Sequence, residues 1–186
     1  MRIGFAVCGS FCTFEHAFSA MEALAKIHDI TPIFSTAAYE TDTRFGTAAT
    51  FIKRAQSICG KDVIHTVAQA EPIGPQKLLD ALIIAPCTGN TMAKLAHSIA
   101  DGPVTMAAKS HLRNGQPVIV ALSTNDALAG AAENIGKLLG RKNYYFVPFG
   151  QDAPFQKPTS MIADYKKLEP TLDAALAGKQ LQPILL

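Results

Sequence analysis

Small hydroxyl and glycine residues follow three apolar runs in this sequence, and such residues are suited to binding phosphate. They are Gly9-Ser10, Ser35-Thr36 and the group Thr88-Gly89-Asn90-Thr91. Backbone N–H groups at a helix start attract anions, hydroxyl groups add donors without bulk, and glycine lets the backbone approach a ligand closely. One such loop alone is explained as an ordinary helix N-cap, since caps also favour Ser, Thr and Asn. Three loops at the same edge of a sheet favour a phosphate-bearing ligand.

Two motifs that the sequence lacks narrow the kind of phosphate ligand. No Gly-x-Gly-x-x-Gly follows the first apolar run, and no Gly-x-x-x-x-Gly-Lys-Ser/Thr occurs. Those motifs are typical of NAD-type dinucleotide sites and of P-loops. We therefore expect a mononucleotide whose phosphate lies among several hydroxyl-bearing loops.

Apolar runs of strand length alternate with helical patterns along the chain. The predicted strands are 3–7, 30–34, 63–66, 82–85, 118–122 and 144–147, and the predicted helices are 15–27, 47–58, 76–79, 91–100, 128–139 and 160–176. This alternation predicts an α/β fold, a single three-layer, doubly wound parallel sheet of Rossmann-like type. Ligands of such folds bind beyond the carboxyl ends of the strands, where the strand order reverses. Residues 1–178 form this domain, and residues 179–186 are expected to be a loose tail.

The composition agrees with one globular domain and argues against several classes of function. The chain has 186 residues, of which 48% are hydrophobic and 17% charged, with a formal net charge of +2. That charge gives no indication of nucleic-acid or membrane binding, and no apolar run is long enough to span a bilayer. The four cysteines form no Cys-x-x-Cys pair, and the histidine spacing predicts no zinc site. We expect no metal, reduced thiols and a cytoplasmic location.

The segment APCTGNTMAKLAHSIAD, residues 85–101, resembles the signature of the homo-oligomeric flavin-containing Cys decarboxylase superfamily. The resemblance implies a flavoprotein-type fold, bound FMN and assembly into trimers or dodecamers. It also implies which residues hold the cofactor. The FMN phosphate would be held by Gly9, Ser10 and Ser35, and the flavin would lie along Thr88, Asn90 and Thr91. Asp101 would support the site. Thr36 and Gly89, which belong to the same loops, are also expected to bind the cofactor.

Two segments depart from the decarboxylases of that superfamily. Residues 71–75, EPIGP, contain no counterpart of the His that those enzymes need before this strand. Residues 122–125 are LSTN, so that only Asn125 matches the Pro-Ala-Met-Asn motif of the decarboxylases. The Cys-containing substrate flap also has no counterpart near residues 148–158. Cysteine decarboxylation is therefore disfavoured.

Other segments resemble a narrower family, the B subunits of dipicolinate synthases. They are EPIGP, PCTGNTMAKLA, MAAKSHLRN, STNDAL, KNYYFVPFGQDAP and KPTSMIADY, spread from residue 71 to residue 165. This resemblance implies oxidation of a dihydrodipicolinate-type ring to dipicolinate in the mother cell of a spore-forming bacterium. It further implies a partner, the A subunit of dipicolinate synthase, that binds NADP, which agrees with the missing dinucleotide motif. The alternatives are a stand-alone FMN-dependent prenyltransferase or decarboxylase, and a non-catalytic module that binds flavin or another ligand.

A dicarboxylate substrate calls for cationic side chains and for a base. Arg113 could clamp a carboxylate through two hydrogen bonds, and Lys157 lies in a segment resembling one that covers the substrate in the prenyltransferases. Asn125 and Asp126 follow a predicted strand and are the best-placed catalytic candidates. Asp152 is a further acidic candidate, although a role in a turn explains it equally well. No sequence feature selects the base among them.

Overall fold

Five parallel strands form the central sheet of the computed structural model, which describes all residues from 1 to 186. The strands are β1 (Arg2–Val7), β2 (Asp29–Phe34), β3 (Ala81–Cys87), β4 (Val118–Thr124), β5 (Tyr144–Phe146), β6 (Phe149–Gly150) and β7 (Met161–Ala163). The helices are α1 (Phe14–Ala25), α2 (Thr36–Glu40), α3 (Ala48–Cys59), α4 (Val67–Ala70), α5 (Gly89–Ala96), α6 (Pro103–Leu112), α7 (Ala132–Leu139) and α8 (Leu168–Leu176). Short 3-10 turns span Phe11–Thr13, Glu71–Ile73 and Tyr165–Lys167.

The order of the parallel strands is β2-β1-β3-β4-β5. The chain runs from β1 outward to β2 and then returns past β1 to β3, so the strand order reverses between β1 and β3. Ligands of open α/β sheets bind at such a reversal, beyond the carboxyl ends of the strands. The α/β doubly wound fold predicted from the sequence is confirmed.

A small antiparallel extension is present that the sequence pattern does not predict. Ser123 and Thr124, at the carboxyl end of β4, pair with β7, and β7 pairs with β6. Residues 160–176 are therefore not one helix, because their first part forms β7 and only Leu168–Leu176 is α-helical. The extension brings residues 149–163 to the carboxyl edge of the sheet.

The core is built from strands that are covered on both faces. Every residue of β3 is buried, as expected for a parallel strand inside a three-layer fold. A cluster of aromatic rings lies between α1 and α3. The Phe14 and Phe51 ring centroids are 4.8 Å apart, and those of Phe18 and Phe51 are 5.6 Å apart.

Helix α6 is the main element that sequence reasoning missed. No helix is predicted between residues 100 and 118, yet Pro103 begins one and His111 is fully buried within it. Proline suits the first turn of a helix, because its missing N–H would have no intrahelical partner there. The helix predicted over residues 76–79 is absent, and a capping box between Thr66 and Gln69 instead begins α4 upstream.

The C-terminal residues, expected to be loose, are attached to the domain. The Gln180 side-chain amide accepts a hydrogen bond from the Phe146 N–H and donates one to the Phe146 carbonyl, at 2.7 Å each. The N–H of Phe149 donates to the Ile184 carbonyl, and the N–H of Leu186 donates to the Phe149 carbonyl, at 3.0 Å each. These bonds extend the sheet edge with the last residues of the chain.

None of the helices has both the length and the apolar character that crossing a membrane requires.

Candidate functional site

A cavity of about 400 Å³ lies beyond the carboxyl ends of β1, β2 and β3, at the strand reversal. Seven of the nine predicted cofactor-binding residues line it: Gly9, Ser35, Thr36, Thr88, Asn90, Thr91 and Asp101. The remaining wall comes from Ala37, Lys94 and the start of α6, residues 102–105. The structure therefore brings together loops that lie far apart in the sequence.

Three helices begin at this first cavity. Thr36 starts α2, Gly89 starts α5 and Pro103 starts α6. The first N–H groups of a helix have no intrahelical partner and carry a partial positive charge. Convergence of three such ends on one cavity fits an anionic group such as a phosphate ester.

Hydroxyl groups at the cavity wall also cap two of these helices, α5 and α2. Thr88 Oγ1 accepts a hydrogen bond from the Thr91 N–H at 3.2 Å and donates to Thr91 Oγ1 at 3.1 Å. Ser35 Oγ accepts from the Ala38 N–H at 3.2 Å. The capping interpretation is therefore correct for the loops of Ser35 and Thr88, whereas Ser10 makes no side-chain cap bond. Capping is compatible with ligand binding, because Ser35 and Thr88 also line the cavity.

An ion pair closes one side of the first cavity. Lys94 Nζ lies 2.9 and 3.0 Å from the two carboxylate oxygens of Asp101. Sequence reasoning does not single out this cation, because Lys94 looks like an ordinary residue in the last turn of α5. Asp101 directly precedes Gly102, the N-cap of α6, so the ion pair links the last turn of α5 to the start of α6.

A second cavity of about 590 Å³ adjoins the first, and Gly9 and Thr88 line both. The predicted residues Ser10, Gly89, Asn125 and Lys157 line this second cavity. Its further walls come from the 3-10 turn Phe11–Thr13, from residues 44–45, from residues 123–124 at the end of β4 and from residues 152–162.

Ser10 and Ser123 connect two strand ends at the second cavity. Their hydroxyl oxygens are 2.8 Å apart, so that the loop after β1 is bonded to the end of β4 across β3. Ser123 is buried and was missed, although its place at a strand end is the same signal that identified Ser10 and Ser35. Asn125 is anchored nearby, because its carbonyl accepts a bond of 2.7 Å from the Thr159 hydroxyl.

Asp152 is the one carboxylate among the residues that line the second cavity. Burial alone would raise its pKa, but hydrogen bonds from Ser160 and from Lys157 outweigh burial, and the pKa lies below its usual value. Lys157 Nζ is 3.1 Å from Asp152 Oδ2. The carboxylate is consequently ionised at neutral pH and paired with a cation.

Asp126 lies behind the cavity wall and lines neither cavity. The Thr124 hydroxyl donates a hydrogen bond to its carboxylate. A Cβ atom on Gly89 would lie 3.0 Å from Thr124 Oγ1 and 3.1 Å from Asp126 Oδ1. The pair of side chains therefore packs directly against the start of α5, and only a residue without a side chain fits there without displacing them.

Arg113 is not brought to either cavity. It follows the C-terminal end of α6 and lines two depressions elsewhere, one with Lys109 and Arg141 and the other with Arg2 and Asp80. The second depression lies at the amino end of β1, on the opposite edge of the sheet. Arg113 was predicted to bind substrate because its guanidinium suits a carboxylate, whereas α6 places the residue away from both cavities.

The cysteines divide into buried and accessible groups. Burial raises the pKa of Cys8 to about 11 and that of Cys87 well above its usual value, so both remain thiols. Cys87 is the last residue of β3, within the segment of residues 85–101, and it is fully buried. Cys12 is exposed and lines the second cavity. No group of three or more His, Cys, Asp and Glu side chains is arranged to hold a metal ion.

The geometry of this site agrees with what comparison with known proteins finds. Residues 1–162 match the Flavoprotein family. The chain belongs to the Flavoprotein family. The flavoprotein-type fold inferred from residues 85–101 is thereby confirmed.

Similarity to one group within the family extends over the whole chain. The chain is 45% identical to the B subunit of dipicolinate synthase from Bacillus subtilis strain 168, covering 99% of this chain and 92% of the relative. It is 42% identical to a crystal structure of the dipicolinate synthase B subunit from Bacillus halodurans, with a TM-score of 0.91 over 100% of this chain and 95% of the other. The resemblance to the B-subunit family is confirmed.

A more distant structure shares the fold. A dodecameric FMN-dependent Ubix-like decarboxylase from Escherichia coli O157:H7 is 21% identical, with a TM-score of 0.65 over 80% of each chain. At that identity the likeness extends to the fold alone.

Proposed function

We propose that this chain is the B subunit of a dipicolinate synthase and that it binds FMN. The convergence of three helix starts on a cavity at the strand reversal carries the cofactor assignment. The donor set fits the phosphate of a mononucleotide, and the volume lies in the range of small-molecule sites. The residues that would hold FMN are Gly9, Ser10, Ser35, Thr36, Thr88, Gly89, Asn90, Thr91 and Asp101.

The second cavity is the proposed substrate site. It adjoins the first through Gly9 and Thr88, so a ring bound there would contact a cofactor held in the first cavity. Oxidation of a dihydrodipicolinate-type ring to dipicolinate removes a hydride and a proton. Bound FMN would supply two-electron redox chemistry, and NADP on the partner A subunit is the proposed final acceptor.

Asp152 is the proposed proton acceptor, since it is the carboxylate that lines the substrate cavity. A low pKa makes it a weak base, but loss of the ring proton yields an aromatic product, and this driving force allows a weak base to serve. Lys157 would bind a substrate carboxylate beside it, and Asn125 would orient the ring through its amide. Asp126 acts as a positioning residue, because it contacts the start of α5 and lines neither cavity.

The proposed assembly follows the family. The chain acts together with the A subunit of dipicolinate synthase in the cytoplasm of the mother cell of a spore-forming bacterium. The name of the B-subunit relatives supports a second type of chain in the enzyme, and the dodecameric relative supports a homo-oligomer, either a trimer or a dodecamer.

Reconstitution tests the reaction. The purified chain, the A subunit, dihydrodipicolinate and NADP should yield dipicolinate, measured by its ultraviolet absorbance together with NADPH formation. Mixtures that lack one of the two proteins are the controls. A full rate with only the A subunit present would show that this chain is not a catalytic component, and turnover of a cysteine-containing peptide by this chain alone would favour the decarboxylase alternative.

Two matched N-cap variants test the cofactor site independently of turnover. Thr88→Ala and Thr47→Ala each remove a hydroxyl that accepts a backbone N–H bond of 3.2 Å, but only Thr88 lines the first cavity. Both should lose about 1 kcal/mol of stability. Only Thr88→Ala should weaken FMN binding, measured by quenching of flavin fluorescence. Equal FMN affinities in the two variants, or a wild-type protein that binds no added FMN, would refute the assignment.

A further inference from the structure

Arg44 and Phe45 form part of the second cavity's wall, although no sequence pattern singles them out. They lie at the tip of a four-residue turn, residues 43–46. The N–H of Thr43 donates to the Gly46 carbonyl at 3.0 Å, and the N–H of Gly46 donates back to the Thr43 carbonyl at 3.1 Å. Thr43 Oγ1 also accepts from the Phe45 N–H at 3.2 Å. These bonds fix the backbone that carries the two side chains.

The turn packs against the aromatic core of the domain. Gly46 has a φ of +145°, a conformation that glycine adopts readily, and a Cβ there would lie 2.9 Å from the Phe51 ring. Phe51 packs in turn against Phe14 and Phe18. The turn therefore lies directly against the buried rings, and its own hydrogen bonds together with this contact favour one arrangement of the cavity wall.

Arg44 is the unpaired cation of the second cavity. Lys157 is already paired with Asp152, whereas Arg44 makes no ion pair. Its guanidinium instead lies 4.9 Å from the centroid of the Phe45 ring. Phe45 keeps 46% of its surface exposed. The wall thus presents a free planar cation beside an accessible aromatic ring.

We propose that the turn of residues 43–46 recognises a planar ring that carries a carboxylate. This inference rests on the proposed function, which places a dihydropyridine dicarboxylate in this cavity. Guanidinium binds a carboxylate through two parallel hydrogen bonds, and an aromatic side chain stacks on a flat ring. Arg44 binds one carboxylate of the substrate, Phe45 contacts the ring, and Lys157, on the wall formed by residues 152–162, lies near the second carboxylate.

Calorimetric titration with pyridine-2,6-dicarboxylate tests the turn without requiring turnover. Benzene-1,3-dicarboxylate, which has similarly spaced carboxylates but no ring nitrogen, and pyridine-2-carboxylate serve as comparison ligands. Arg44→Gln should weaken binding of both dicarboxylates about tenfold or more, the factor expected when a charge-assisted hydrogen bond is lost. Phe45→Leu should weaken every aromatic ligand but spare the preference for two carboxylates.

Arg113→Gln is the matched control, because it removes the same charge from an arginine at the opposite edge of the sheet. It should bind all three ligands as the wild type does. Equal losses in Arg44→Gln and Arg113→Gln would show a general charge effect and overturn the proposal, as would a wild-type protein that binds none of the ligands at millimolar concentration.

The failure of this inference is distinguishable from failure of the proposed function. If the reconstituted enzyme makes dipicolinate and Arg44→Gln leaves its KM unchanged, the recognition role is wrong and the function stands. If the wild type shows Arg44-dependent binding but no turnover in the reconstituted mixture, the recognition role stands and the reaction is wrong.

Discussion

Substituting Gly89 by alanine tests the packing at the boundary of the two cavities, where Gly89 lines the second and its neighbours Thr88 and Asn90 line the first. The added Cβ would lie 3.0 Å from Thr124 Oγ1 and 3.1 Å from Asp126 Oδ1, so each neighbour must retreat by a few tenths of an ångström. They cannot retreat independently, because they are hydrogen-bonded to each other. Overpacking of this kind costs about 1–3 kcal/mol. We expect Gly89→Ala to lower the free energy of unfolding by that amount, with a fall in Tm of about 2–4 °C per kcal/mol.

Gly136→Ala is the control for the intrinsic effect of replacing glycine in a helix. Gly136 lies within α7, which packs on α5, and a Cβ there would meet no atom within 4 Å. Removing a flexible glycine from a helix should raise stability by about 0.5–1 kcal/mol. Urea denaturation, followed by circular dichroism, gives both values on the same scale.

A double-mutant cycle with Thr124→Ala isolates the steric cause. Removing the Thr124 hydroxyl makes room for the new Cβ, so Gly89→Ala should cost less in that background than in the wild type. FMN affinity should fall in Gly89→Ala, since its neighbours Thr88 and Asn90 line the first cavity. A Gly89→Ala protein as stable as the wild type, alongside the expected gain in Gly136→Ala, would refute the reasoning.

Three further substitutions have defined outcomes. Tyr165→Phe removes a buried hydroxyl that makes no hydrogen bond within 3.5 Å and should raise the free energy of unfolding by about 1 kcal/mol. A comparable loss would instead show that the Thr13 side chain is its partner. Burial holds the pKa of His111 below its usual 6.5. As the pH falls, the unfolded chain therefore takes up a proton at this residue before the folded chain does. The free energy of unfolding should consequently fall by up to about 1.4 kcal/mol per pH unit below pH 6.5. His111→Gln should flatten that slope in urea titrations from pH 7.5 to 5, and an unchanged slope would assign it to another group. Asp152→Asn should lower kcat of the reconstituted enzyme by about 10² or more. Because hydrogen bonds from Ser160 and Lys157 hold the pKa of Asp152 below its usual value, the acid limb of the wild-type rate from this group should lie at lower pH than that of an ordinary aspartate. An unchanged kcat in Asp152→Asn would remove it as the base.

Five of the six predicted strands and the cofactor loops could be predicted because both rest on local signals, whereas residues 63–66 form only an isolated bridge at Ile64. Runs of apolar residues mark the parallel strands, and Ser, Thr and Gly directly after them mark the helix starts. Seven of the predicted cofactor residues consequently line one cavity. No local signal shows that these loops lie next to one another. Their proximity follows from the rule that the carboxyl ends of parallel strands lie at the same edge of the sheet.

The substrate cavity was harder to predict because loops supply most of it. Arg44 lies in a turn without periodicity, and its place in the same cavity as Lys157 depends on how Gly46 packs on Phe51. Arg113 shows the opposite case. It was chosen for the chemistry of its guanidinium, but α6, which was not predicted, places it far from the cavity. The signal for that helix was present as Gly102-Pro103, a typical helix start.

The shared wall of the two cavities has a thermodynamic consequence. Gly9 and Thr88 line both cavities, so a ligand in one cavity touches residues that also contact a ligand in the other. Two ligands that meet in this way alter each other's affinity by the same factor in both directions. The dissociation constant of FMN should therefore shift when pyridine-2,6-dicarboxylate is present, and that of the dicarboxylate should shift equally when FMN is present. Because the coupling is reciprocal, the equilibrium occupancy of the two cavities is the same whichever ligand binds first.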